Sequence, residues 1–172
     1  MIGQGWALTE LGQIEDGIAE LRAGMSALRV TGAQISLPYY SGLLAQAHAK
    51  AARVEEGLRL LAEAESMVAE TGERWCLSEL YRLRGEMSLS RSGRNDRSEN
   101  EAEEYLRRAL AIAQEQRAKS LELRAAMSLG FLWKTQGKEA GARHMVSELY
   151  NRFTEGFDTP DLREARAFVE RT

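Results

Sequence analysis

The sequence is poor in the residues that cross-link or punctuate a chain. It holds one cysteine, Cys76, so no internal disulfide can form, and the cytosol is the favoured setting. Its two prolines, Pro38 and Pro160, leave long stretches in which nothing breaks a helix. Its two histidines, His48 and His144, are far apart, and neither has a second histidine or cysteine at metal-ligand spacing. No apolar run approaches the roughly 20 residues that a membrane span needs, and no basic segment leads into an apolar one at the start. We therefore expect a soluble, cytoplasmic chain that does not engage a membrane. The net charge of −3 gives a polyphosphate nothing to bind, so nucleic acid is not an expected partner.

What is plentiful is alanine, leucine, glutamate and arginine, with few β-branched residues, which favours helix over strand. With 44% apolar residues, a chain of 172 can bury a core, and one domain is expected. The stretch from Tyr39 to Gly72 shows how. Leu43, Leu44, Ala47 and His48 recur at helical steps, as do Leu58, Leu61, Ala64, Met67 and Val68. The two or three residues around Ala52 and Arg53 that join these runs force two helices to lie antiparallel.

The rest of the chain repeats this hairpin. Gly17, Gly57, Ala102 and Ala142 are spaced by about 40, 45 and 40 residues, the period of helical-hairpin repeats. An apolar residue follows each at the fourth position: Leu21, Leu61, Leu106 and Val146. Gly24, Ala64 and Ala109 stand at the seventh, where Leu149 breaks the rule for small residues. Ahead of these anchors lie Gly5, Ala45, Gly130 and, across an inserted segment, Gly85, each where two helices would cross. Leu8, His48 and Trp133 are of a size to fill the space beside that crossing.

In these positions the chain resembles the tetratricopeptide repeat (TPR) family in its long-repeat bacterial form. Three stretches carry a narrower likeness: GWALTELGQIEDGIAELRAG from Gly5, TGERWCLSELYRLRGEMSL from Thr71, and AKSLELRAAMSLGFLWKTQGK from Ala118 on to LYNRFTEGFDTPDLREA. They are similar to the C-terminal TPR array of bacterial signalling proteins that join an adenylate or guanylate cyclase domain to a STAND ATPase. The resemblance implies an attached or associated ATPase or cyclase module as a partner. No GxxxxGK[ST] loop is present, so no nucleotide chemistry is carried onto a residue of this chain.

The expected architecture is all-α, a right-handed superhelical array of antiparallel hairpins with a capping helix at the C-terminus. The units run from about 1–34, 35–73, 74–118 and 119–153, with the cap over about 160–171. Helix ends are expected at Thr31-Gly32 and Thr71-Gly72, and helix starts at Pro38 and Pro160. The first helix starts too late for its crossing at Gly5, which suggests a fragment or an end whose missing turn is replaced by something else, and its apolar edge suggests self-association into a homo-oligomer. SGRNDRS, from Ser92 to Ser98, is expected to be a mobile loop whose arginines, with Arg91, are simply solvated.

In such a stack the first helix of each unit lines the concave side. The repeat phase puts Trp6, Glu10, Tyr39, Gln46, Lys50, Arg82, Glu86, Arg124, Met127, Phe131 and Lys134 there. Aromatic and arginine side chains among charges supply the contact area and forked hydrogen bonds that a peptide groove uses. The competing reading places Trp6 and Phe131 in the core. No catalytic, cofactor or metal residue is expected: His48 reads as packing, Cys76 as inert, and Glu55-Glu56 and Glu103-Glu104 as first-turn charges facing a helix dipole. The sequence thus points to a non-catalytic scaffold that binds a protein, peptide or partner helix, as the sensor or regulatory part of a signalling protein. The alternative is an inducer-sensing domain of a cyclase- or ATPase-linked regulator that takes a small molecule.

Overall fold

The computed structural model describes residues 1–32, 35–91 and 95–170, and over these the chain is helical without a strand. The first hairpin joins α1 (Ile2–Glu10) to α2 (Ile14–Val30), and the second joins α3 (Leu37–Lys50) to α4 (Val54–Thr71). α5 (Leu77–Arg91) and α6 (Asp96–Glu115) make the third, α7 (Lys119–Thr135) and α8 (Glu139–Tyr150) the fourth, and α9 (Pro160–Glu170) follows alone. Each second helix packs on the first helix of the next hairpin, and α1, α3, α5 and α7 touch one another in turn. Among the described residues α2, α4, α6 and α8 make no such mutual contact, so that layer is splayed and the stack curves around its first helices.

Small residues set the distance between the two helices of a hairpin. A Cβ on Gly5 would lie 2.8 Å from the Gly17 carbonyl oxygen, and one on Gly57 would lie 2.9 Å from that of Ala45. Gly85 faces α6 in the same way, 2.8 Å from Leu106 Cγ and 3.1 Å from the Ala102 carbonyl oxygen. Leu21, Leu61, Leu106 and Val146 have no exposed surface, and burial of such a side chain contributes roughly 1.5–3 kcal/mol.

The turns repeat as well. After α1, α3, α6 and α7 the backbone closes a six-residue ring: Gln13 N–H donates to Leu8, Arg53 to His48, Ala118 to Ala113 and Lys138 to Trp133, at 2.8–2.9 Å. In each turn the residue before the donor is left-handed: Gly12, Ala52, Arg117 and Gly137 have φ between 54° and 84°. This pairing is the Schellman closure of a helix C-terminus. Its donor residue is at once the N-cap of the following helix, so one helix ends where the next begins.

The third hairpin departs from expectation. α6 begins at Asp96, because Asn95 and Ser98 form a reciprocal capping box: Ser98 N–H donates to Asn95 Oδ1 at 2.9 Å and Asn95 N–H to Ser98 Oγ at 3.1 Å. Residues 95–98 are thus an ordered helix start and not the expected loop, while residues 92–94 lie outside the described residues. The early start also moves Glu103 and Glu104 out of the first turn. Arg91 is not simply solvated, since its Nε donates to Glu55 of α4 at 2.9 Å. At the far end Leu162 and Ala165 of α9 are buried against the last hairpin, and Phe168 lies over Gly130, with 3.1 Å between the ring and a Cβ placed there.

Candidate functional site

The inner side of the curve is a trough of about 1320 Å³. α1 contributes Trp6 and Glu10, α3 Tyr39, Leu43 and Gln46, and α5 Glu79, Arg82 and Glu86. Arg124, Met127, Ser128 and Phe131 come from α7, and the segment from Arg152 to Leu162 closes one end. A smaller hollow of about 650 Å³ lies on α8 and α9 between Glu139, His144 and Val169; it is shallow and lined by short or solvated side chains.

Trp6 is 47% exposed and Phe131 44%, which removes both from the core. Phe131 stands edge-on to Phe168, with ring centres 5.1 Å apart, and Tyr39 lies 5.1 Å from the ring of Trp75. Three of the expected residues are placed differently. Met127 is buried and contributes only to the floor, because it packs on Leu123 and Val146. Lys50, the last residue of α3, points to Glu10 at 2.7 Å without lining the trough. Lys134 pairs with Glu139 of α8 at 3.1 Å and lies over the ring of Phe168, again outside the wall.

A ladder of charges crosses the trough. Arg82 grips Glu79 with two hydrogen bonds, Nε to Oε2 at 2.9 Å and Nη2 to Oε1 at 2.7 Å, and reaches Glu86 Oε1 from Nη1 at 2.6 Å. Ser128 donates to the same Glu86 oxygen at 2.6 Å, and Arg124 Nε donates to Asp161 of α9 at 2.7 Å. Burial opposes the charge on Glu79, yet the bonds and charge of Arg82, with that of Arg124, hold its carboxyl below the usual range. The same carboxylates keep Arg82 protonated despite its burial. Glu79 and the Arg152–Leu162 wall are absent from the expectation, although an acidic residue three positions before Arg82 is a legible signal for the first.

Reactive side chains lie away from the trough. Cys76 is buried at the start of α5, and burial pushes its thiol up to about 11, overriding the helix N-terminus. His48 is 1% exposed in the crossing of the second hairpin. Its Nε2 lies 3.1 Å from Arg22 Nη2, so the neutral ring accepts there and carries its proton on Nδ1, 2.9 Å from Glu56 Oε2. The Nδ1 contact is not an aligned hydrogen bond. Among the described residues no three acidic, histidine or cysteine side chains converge as metal ligands, and no helix is long and apolar enough to cross a membrane.

The chain matches the TPR-like repeats of a kinesin light chain from Podosopora anserina with a TM-score of 0.67 and 15% identity, over 97% of this chain and 81% of that one. A variant of the same protein gives 0.67 and 15%, over 97% and 80%. The fold is a TPR-like α-solenoid. No family model matches the sequence. An uncharacterized protein from Rhizobium meliloti (strain 1021) is 32% identical over 129 residues, 75% of this chain. Those residues make up 12% of the relative, so the chain spans only a small part of it.

Proposed function

We propose that this TPR-like array is a non-catalytic binding module that takes a peptide or partner helix along its trough, as the regulatory part of a larger signalling protein. The size of the trough carries the reading. At about 1320 Å³ it exceeds the roughly 300–1,000 Å³ of a small-molecule site, and it runs across four successive first helices. Exposed Trp6 and Phe131, with half-buried Tyr39, supply stiff apolar area in the lining at low entropic cost. Folds of this kind generally mediate association between proteins, and the fold alone would not decide the matter. The signalling assignment draws on the sequence likeness to cyclase and STAND ATPase arrays, together with a relative much longer than the matched segment.

The test pairs ligand screening with site-directed crosslinking. A ligand at 100 times its Kd adds about 2.7 kcal/mol, so nucleotides and sugars are expected to leave the melting curve unmoved. A photo-crosslinker placed at Phe131 is expected to capture a bound peptide, while one at Glu63, on the outer face of α4, is not. A thermal shift from a small molecule that Phe131→Ala abolishes would instead select the inducer-sensing alternative.

A further inference from the structure

The charges in the trough also specify what kind of segment it takes, an inference that rests on the binding reading above. Anion capture needs a cation with free donors, and in the α1–α5 half of the trough Arg82 is already engaged. Arg82 is 12% exposed and spends its fork on Glu79 and Glu86, whereas Arg124 and Arg152, each bonded through a single nitrogen, and Lys119 line the other half. In the half built by α1, α3 and α5, Arg82 faces both Glu79 and Glu86, and Lys50 offsets Glu10 from outside the wall. One carboxylate charge is therefore in excess. It resides on Glu86, which is 43% exposed and takes both of its bonds on Oε1, leaving Oε2 without a partner among the described residues. Trp6 and Tyr39 share that half of the wall, and an indole or phenol face attracts a cation.

We infer that the α1–α5 half of the trough accepts a basic amphipathic segment, with one lysine or arginine at Glu86 and another against the face of Trp6 while its apolar side meets Leu43 and Tyr39. An acidic peptide is disfavoured there, since freeing Arg82 to bind it would strip a buried guanidinium of both carboxylates.

Two synthetic helical peptides of equal length, one of lysine and leucine and one of glutamate and leucine, test this by calorimetry on the full chain at two salt concentrations. The basic peptide is expected to bind, and to bind less tightly as salt rises. Its Kd is expected to increase at least threefold in Glu86→Gln and in Glu10→Gln, the second lying outside the Arg82 network, and more in Trp6→Ala. Glu63→Gln on the outer face is expected to leave it unchanged, and circular dichroism checks that each variant folds. Equal or tighter binding of the acidic peptide, or an unchanged Kd in both carboxylate variants, would overturn this inference while leaving the trough as a binding site. Binding of neither peptide would overturn both.

Discussion

Gly57 of α4 meets the backbone of Ala45 in α3 so closely that an added Cβ would stand 2.9 Å from the Ala45 carbonyl oxygen and 3.0 Å from Met87 Sδ. The oxygen belongs to a helix and cannot move aside as a side chain would. Gly57→Ala is therefore expected to cost about 1–3 kcal/mol in chemical denaturation, as overpacking does. Gly3→Ala, in α1 with open space around it, is the control and is expected to stabilise by about 0.5–1 kcal/mol. Equal effects at the two sites would mean that the crossing does not set the spacing.

Ala52 carries a left-handed backbone, φ 59°, at the turn position that glycine occupies in the first and fourth hairpins. Ala52→Gly is expected to raise stability by about 0.5–1 kcal/mol, relief of the left-handed strain exceeding the entropy that glycine loses. Gly137→Ala is expected to lower it by a similar amount. For a domain of this size 1 kcal/mol moves Tm by about 2–4 °C, which calorimetry resolves.

His48 makes stability depend on pH. Burial lowers its pKa from the ordinary 6.5; the Glu56 carboxylate opposes this, and the Arg22 and Arg53 charges add to it. As pH falls through 6.5 the unfolded chain takes up a proton that folded His48 still refuses, so acid favours the unfolded state. The contribution is present above 6.5 and is lost as pH falls through the folded pKa. Denaturation between pH 7 and 5 is expected to show wild type losing stability faster than His48→Gln. Parallel slopes would place the titration elsewhere.

Cys76 reports on opening of the third hairpin. Buried and with its thiol raised to about 11, it is expected to react with a soluble disulfide reagent only when α5 opens. Labelling at pH 8 is expected to accelerate with denaturant in step with loss of helix. Rapid labelling of the native chain would show that the start of α5 opens on its own.

Much of this architecture is legible in the residues, because a repeat writes the same constraint several times. Gly5, Gly17 and Gly57 recur in phase, and each meets backbone in the structure. The start of α9 is legible from Pro160, which suits a first helical position. The start of α6 is hidden because Asn95 and Ser98 form a capping box with serine in the place where glutamate or glutamine is the usual signal. On the trough, phase assigns the inner face well at Trp6, Tyr39, Arg82 and Phe131. It does not foresee that Lys50 and Lys134 spend their charges on Glu10 and Glu139 and stay out of the lining. Met127 is floor and not rim, a distinction that periodicity does not make. Closure of one end by residues 152–162 depends on where α9 docks, which no local pattern encodes.

The shared turn, in which Gln13, Arg53, Ala118 and Lys138 each finish one helix and open the next, makes these four joints a local matter of a few backbone bonds. No contact between distant parts of the chain is needed to set the angle at any of them. Such an object behaves less like a vault held by its keystone than like a hinged measuring rod. Pulled or warmed, it should come apart segment by segment from its ends, so that a partner lying across several segments would act as the splint that stiffens them together.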